Sequence, residues 1–120
     1  MTLEAGKIFR DAWIAAVHKH YPGEPKASYI APWDEIPDWE RQSAAAVYQL
    51  VADLLRASED AARQLTRTQK SQFVAACWTA QIYLRIPDPK PAYVAPWEAL
   101  PTWQQEADAD IFDIIEQSEK

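Results

Sequence analysis

The residues best suited to chemistry are aromatic and cationic, and they come twice. Lys26, Tyr29, Trp33 and Arg41 follow one another with prolines between them. Lys90, Tyr93 and Trp97 repeat the series sixty-four residues later. A ring directly behind a proline is held in an extended bend and can lie across a groove. A nucleobase could stack on Trp33 or Trp97, while Lys26, Lys90, Arg10, Arg41 or Arg85 met a phosphate. Packing is the competing use of the same rings. For Trp13, Trp39, Trp78 and Trp103, which fall in helical stretches, packing is the expected one.

Other chemistry has less to work with. Asp34, Glu35, Asp38 and Glu40 form a carboxylate cluster, but its copy keeps only Glu98. Acids at a helix start need only the dipole, whereas a catalytic pair needs surroundings that push two pKa values apart. His18 and His20 stand two apart on a helix, so they face different ways and cannot share a metal. Cys77 is the single cysteine, which excludes an intramolecular disulfide, and it lies on an apolar stripe as a small core residue would. Two glycines leave no phosphate-cradling loop. No enzymatic activity, cofactor or metal is expected.

The elements that must position the rings form a duplicated unit. Identical pairs are Lys26/Lys90, Tyr29/Tyr93, Ala31/Ala95, Pro32/Pro96, Trp33/Trp97, Pro37/Pro101 and Trp39/Trp103. Shifted by one residue, the match runs upstream through Trp13/Trp78, Val17/Ile82 and Pro22/Pro87. A first helix from about Leu3 to His20 carries Phe9, Trp13 and Val17 on one stripe and ends at Pro22-Gly23. A second starts at Pro37, with proline at its first position, and ends at Ala57 or, after a break near Ser58, at Leu65. Thr66-Arg67-Thr68-Gln69 reads as a capping box opening a third helix, which Pro87 ends. A fourth starts at Pro101. Between the helices of each unit lies an extended elbow, where Tyr29-Ile30 and Tyr93-Val94 could form very short strands pairing across a pseudo-twofold axis. The expected fold is therefore mainly α: two pseudo-symmetric helix–elbow–helix repeats, at 3–57 and 68–117, joined by a connector at 58–67.

Length and composition agree with one globular domain. A chain of 120 residues buries roughly two-thirds of its unfolded surface, enough for a core without staples. The net charge of −6 disfavours duplex nucleic acid as a partner. Charge is uneven: Arg56, Arg63, Arg67 and Lys70 dominate one stretch, while residues 98–119 hold seven carboxylates and no base. Such an acidic end is expected to be a solvated face. The first residues lack the basic start and apolar run of a signal peptide, and no run approaches a membrane span. With one cysteine, a reducing cytoplasm is the expected compartment.

The unit resembles the ryanodine-receptor repeat, a module found in pairs in that channel and in short bacterial and phage proteins. The resemblance rests on Trp13, Tyr29-Ile30, Pro32-Trp33, Ile36-Pro37, Trp39-Glu40-Arg41 and Val47 to Leu55. The second copy offers Trp78, Tyr93-Val94, Pro96-Trp97, Leu100-Pro101 and Trp103. Three residues before the helix tryptophan the family commonly has histidine; Arg10 and Ala75 stand there instead. Gln104-Gln105 replaces Glu40-Arg41 in the second copy. The resemblance implies a nucleotide-sized cleft between paired repeats, and a source among actinobacteria or their phages. The expected function is a non-enzymatic module for a nucleotide or nucleotide-derived signal, bound by Lys26, Tyr29, Trp33, Arg41, Lys90, Tyr93 and Trp97. The alternative is a protein-interaction or scaffolding module, monomeric or homodimeric, with no small ligand.

Overall fold

The computed structural model describes residues 3–120. Its α-helices are α1 (Ala5–His20), α2 (Ala27–Ile30), α3 (Asp38–Ala57), α4 (Arg67–Arg85) and α5 (Thr102–Ser118). Single 3-10 turns fill Trp33–Glu35, Ala61–Gln64, Pro91–Val94 and Trp97–Ala99. The fold is mainly α, in keeping with the helical stripes of the sequence.

The elbows differ from expectation in one respect: neither is a strand. Tyr29 and Ile30 close the one-turn helix α2, and Tyr93-Val94 closes a 3-10 turn. The Tyr29 amide donates to the Lys26 carbonyl at 3.0 Å and the Tyr93 amide to the Lys90 carbonyl at 2.9 Å. Local bonds thus serve backbone groups that cross-axis pairing would otherwise have had to satisfy.

The two elbows nevertheless share a backbone course. Ala31 and Ala95 have φ, ψ of −61°, 133° and −63°, 143°. The Glu35 and Ala99 amides donate to the Pro32 and Pro96 carbonyls, both at 2.9 Å. Pro37 and Pro101 sit one residue outside their helices rather than at the first position. Each lends its carbonyl to two amides one turn on, Glu40 and Arg41 in one case, Gln104 and Gln105 in the other. Upstream, Gly23 and Asp88 both turn at positive φ, 92° and 52°.

Helix α3 takes the shorter of its two candidate ends. Glu59 and Asp60 adopt φ of 51° and 68°, and the Asp60 amide donates back to Leu55 at 2.8 Å. This left-handed pair ends the helix. The capping box forms as written: Thr66 Oγ1 accepts from the Gln69 amide at 3.1 Å, and Gln69 Oε1 accepts from the Thr66 amide at 2.9 Å.

One hydrophobic core draws on both halves of the chain. Phe9, Val47, Val51 and Leu55 pack with Val74, Cys77, Ile111, Phe112 and Ile115. Helix α1 lies against α3 and α5, and α4 against the same two. Each first-helix tryptophan meets the second-helix tryptophan of the other half. Trp13 and Trp103 have centroids 5.7 Å apart, Trp78 and Trp39 6.4 Å. The acidic α5 is not a bare solvated face, because the basic stretch before it folds back along it. Arg67 reaches Asp110 at 2.6 Å and Asp113 at 3.2 Å, Lys70 reaches Glu116 at 2.8 Å, and Arg56 reaches Glu119 at 2.8 Å. Among the described residues, no helix is long and apolar enough to cross a membrane.

Candidate functional site

Each elbow lies along the first helix of its own half, the first on α1 and the second on α4. The difference between the two contacts creates the site. At the first elbow the tryptophan and a guanidinium from α1 are both packed in. Trp33 rests on Gly6, where a Cβ would stand 2.6 Å from the ring and 2.8 Å from the Ala45 nitrogen. Arg10, buried, reaches beneath the elbow: Nε and Nη2 donate to the Ala31 carbonyl at 3.0 and 2.8 Å, and Nη2 also donates to Ser28 at 3.1 Å. Its Nη1 meets Glu40 at 2.9 Å. Burial lowers the Arg10 pKa and raises that of Glu40, and the attraction between them opposes both shifts.

The second elbow carries a different residue at every one of these points. Ser71 takes the place of Gly6, Ala75 that of Arg10, Ala92 that of Ser28 and Gln104 that of Glu40. Ser71 holds the elbow tryptophan by a hydrogen bond rather than by close packing: Trp97 Nε1 donates to Ser71 Oγ at 2.8 Å, and Oγ donates to the Gln105 carbonyl at 2.6 Å. Gln105 does what Arg41 does in the first half. Its Nε2 donates to the Trp97 carbonyl at 2.9 Å, as Arg41 Nη1 donates to that of Trp33 at 3.0 Å.

Two hollows flank Trp97. The larger, about 360 Å³, lies between α4 and the elbow, walled by Ala75, Ala76, Thr79, Tyr83, Val94 and Trp97 among others, with no charged residue in its wall. The smaller, about 160 Å³, is edged by Arg67, Ser71, Trp97 and Glu106. Tyr83 at the larger hollow is 63% exposed, and Tyr93, next to Val94, is 51% exposed. Asymmetry extends to the rings, since Tyr29 packs against Trp13, Tyr21 and Trp103.

The residues expected to bind a ligand do not form one cleft. Trp33 is packed on Gly6 and joins the core, and Tyr29 belongs to the aromatic cluster of α1 and α5. Arg41 is tied to Trp33 and to Asp38, Arg10 to the elbow, and Arg85 to Gln42 and Gln81. Lys26 and Lys90 are exposed and lie over the rings of Tyr29 and Tyr93 at 5.7 and 6.0 Å. Only Trp97 of the seven walls either hollow. Sequence reasoning did not give weight to Gly6, Ser71, Ala75, Ala76, Thr79 and Tyr83. The signal was available: the repeat aligns Arg10 with Ala75, a large side chain with a small one, at a position facing the elbow.

The remaining candidates sit away from the hollows. Asp34 and Glu35 are exposed and wall neither one. His20 pairs with Asp110 at 2.7 Å. Burial alone would raise the Asp110 pKa, but bonds from Arg67 and His20 bring it below the ordinary value. Cys77 is buried in the core, and burial pushes its thiol up to about 11. Comparison with known family models, curated proteins and solved structures returns no match to this chain.

Proposed function

We propose that the protein is a non-enzymatic interaction module that receives a polypeptide segment of a partner in the hollow between α4 and the second elbow. The observation that carries this reading is the uncharged, aromatic-edged hollow beside Trp97. A nucleotide needs free cations beside its stacking ring. Here Arg10 and Arg41 are engaged within the first elbow, while the hollow offers apolar walls to a side chain. Exposed aromatic rims of this kind suit a protein partner, because a ring covers much area at little entropic loss. The resemblance to ryanodine-receptor repeats is part of the same proposal and favours binding over catalysis.

A thermal-shift screen against two panels, one of nucleotides and one of short peptides of varied side chain, tests the reading. The expected result is a shift with some peptides, lost in Ala80→Glu, which places a charged chain in the wall of the hollow. A saturating ligand at a hundred times its dissociation constant adds about 2.7 kcal/mol, several degrees for a domain this small. A nucleotide shift that disappears in Trp97→Ala would instead restore the small-ligand reading.

A further inference from the structure

We infer that the partner is a second copy of this chain, docked antiparallel through the outward face of α4 across a twofold axis. This rests on the reading just given and names its partner. A surface helix ordinarily turns charged and polar residues toward water. Helix α1 does so with Lys7, Asp11, His18 and Lys19, all exposed. The repeat in sequence aligns these with Gln72, Ala76, Tyr83 and Leu84 of α4, which are exposed as well and carry no charge. From Thr68 to Leu84 the one charged residue of α4 is Lys70, and it is buried. Leu84 is 70% exposed, Tyr83 is nearly as open, and Tyr93, next to Val94 of the hollow, is half-exposed. Apolar side chains gathered in this way on one surface mark a place of contact.

What covers the face is set by the order of residues along it. Tyr83 and Leu84 are bulky and stand at the C-terminal end of α4; Ala76 stands about two turns earlier, with Ala80 between. An antiparallel copy lays the bulky end of each α4 on the small end of the other, with Ala80 near the axis, where small side chains let the helices approach. Tyr83 of each copy then reaches the mouth of the partner's hollow, walled at that end by Gln72, Ala76 and Trp97. Parallel docking would set bulk against bulk. The charges at the two ends agree with the antiparallel order. Trp97 bonds Ser71 near the start of α4, so the elbow runs back along the helix. Lys90 and Arg85 therefore lie at one end of the groove, where Asp88 leaves them a net positive charge, and Glu98 lies at the other. Arg67, near Glu98, is already held by Asp110 and Asp113. Antiparallel docking sets Lys90 of each copy against the partner's Glu98. Each copy carries −6, and approach through an uncharged face avoids the repulsion that acidic faces would meet.

Sedimentation equilibrium of the full chain from about 1 μM to about 1 mM tests the proposal, and a reversible monomer–dimer equilibrium within that range is expected. Leu84→Lys, at an exposed position, should raise the dissociation constant about tenfold or more while the melting curve of the dilute monomer stays unchanged. Lys90→Glu should weaken the dimer about threefold, and Glu98→Lys added to the same chain should restore it. Ala80→Cys should join two copies by a disulfide when copper phenanthroline takes up the electrons of the two thiols, whereas Lys7→Cys should not; Cys77 is buried and does not compete. A chain that stays monomeric to about 1 mM would overturn the second copy. If the peptides of the earlier screen then still bind and Ala80→Glu still blocks them, the interaction module stands with another partner; if they do not bind, both readings fall. A dimer indifferent to Leu84→Lys and without the Ala80→Cys cross-link would overturn the proposal too, since the contact would lie on another face.

Discussion

Gly6 shows how much one hydrogen atom in place of a methyl can decide. Trp33 closes on α1 only because nothing projects from position 6, and the first elbow is sealed there. Gly6→Ala is expected to cost about 1–3 kcal/mol, because the new Cβ meets ring and backbone rather than a flexible chain end. Thermal melts of the two proteins measure it. Asp108 is the second decisive residue. It is buried, and burial pushes its carboxyl from 3.8 up to about 8. Between those values the folded protein holds a proton that the unfolded chain has released. Stability from this group therefore falls as pH rises from about 4 to about 8 and is level outside that window. Asp108→Asn should flatten the pH dependence of the melting temperature over that range. Neither residue stood out in the sequence. A glycine inside a helical pattern reads as a weak helix former, and an aspartate in an acidic run reads as solvated; only the neighbours reveal that both are enclosed.

At the level of elements, the prolines, the capping box and the stripes of α1, α4 and α5 were legible because they depend on residues close in sequence. The elbow conformation was not. Lys26 to Ile30 has no strong propensity, and whether it extends or coils depends on what lies beneath it, here Arg10 from α1. The end of α3 was legible only as two alternatives, since the apolar face continues to Leu65 while Glu59 and Asp60 break it by taking positive φ. That break can be improved. Glu59→Gly, at an exposed position of φ 51°, should stabilise by about 0.5–1 kcal/mol, the penalty of a left-handed side chain less the entropy that glycine adds to the unfolded chain. Chemical denaturation with an unchanged slope would report it. Thr66→Ala should lose about 1 kcal/mol by removing one side of the capping box.

For the whole molecule, the exchange of tryptophan partners between halves outweighs the repetition in sequence. Trp13 meets Trp103 and Trp78 meets Trp39, and Phe9 stacks on Trp78 at 5.6 Å. A half on its own would expose rings and core that the other half now covers. Residues 1–58 expressed alone should therefore show little cooperative unfolding, whereas the intact chain should melt in one transition seen alike by circular dichroism and fluorescence. The repetition in sequence is readable from identities; the different packing of the two elbows is not, because it depends on which side chains meet across the fold. The single thiol adds a clock to this arrangement. Cys77 sits in the shared core, protonated and shielded, so an aromatic disulfide reagent can reach it only when α4 parts from its neighbours. The half-time of that reaction then counts openings of the intact, unlabelled protein, and a ligand wedged against α4 would lengthen it.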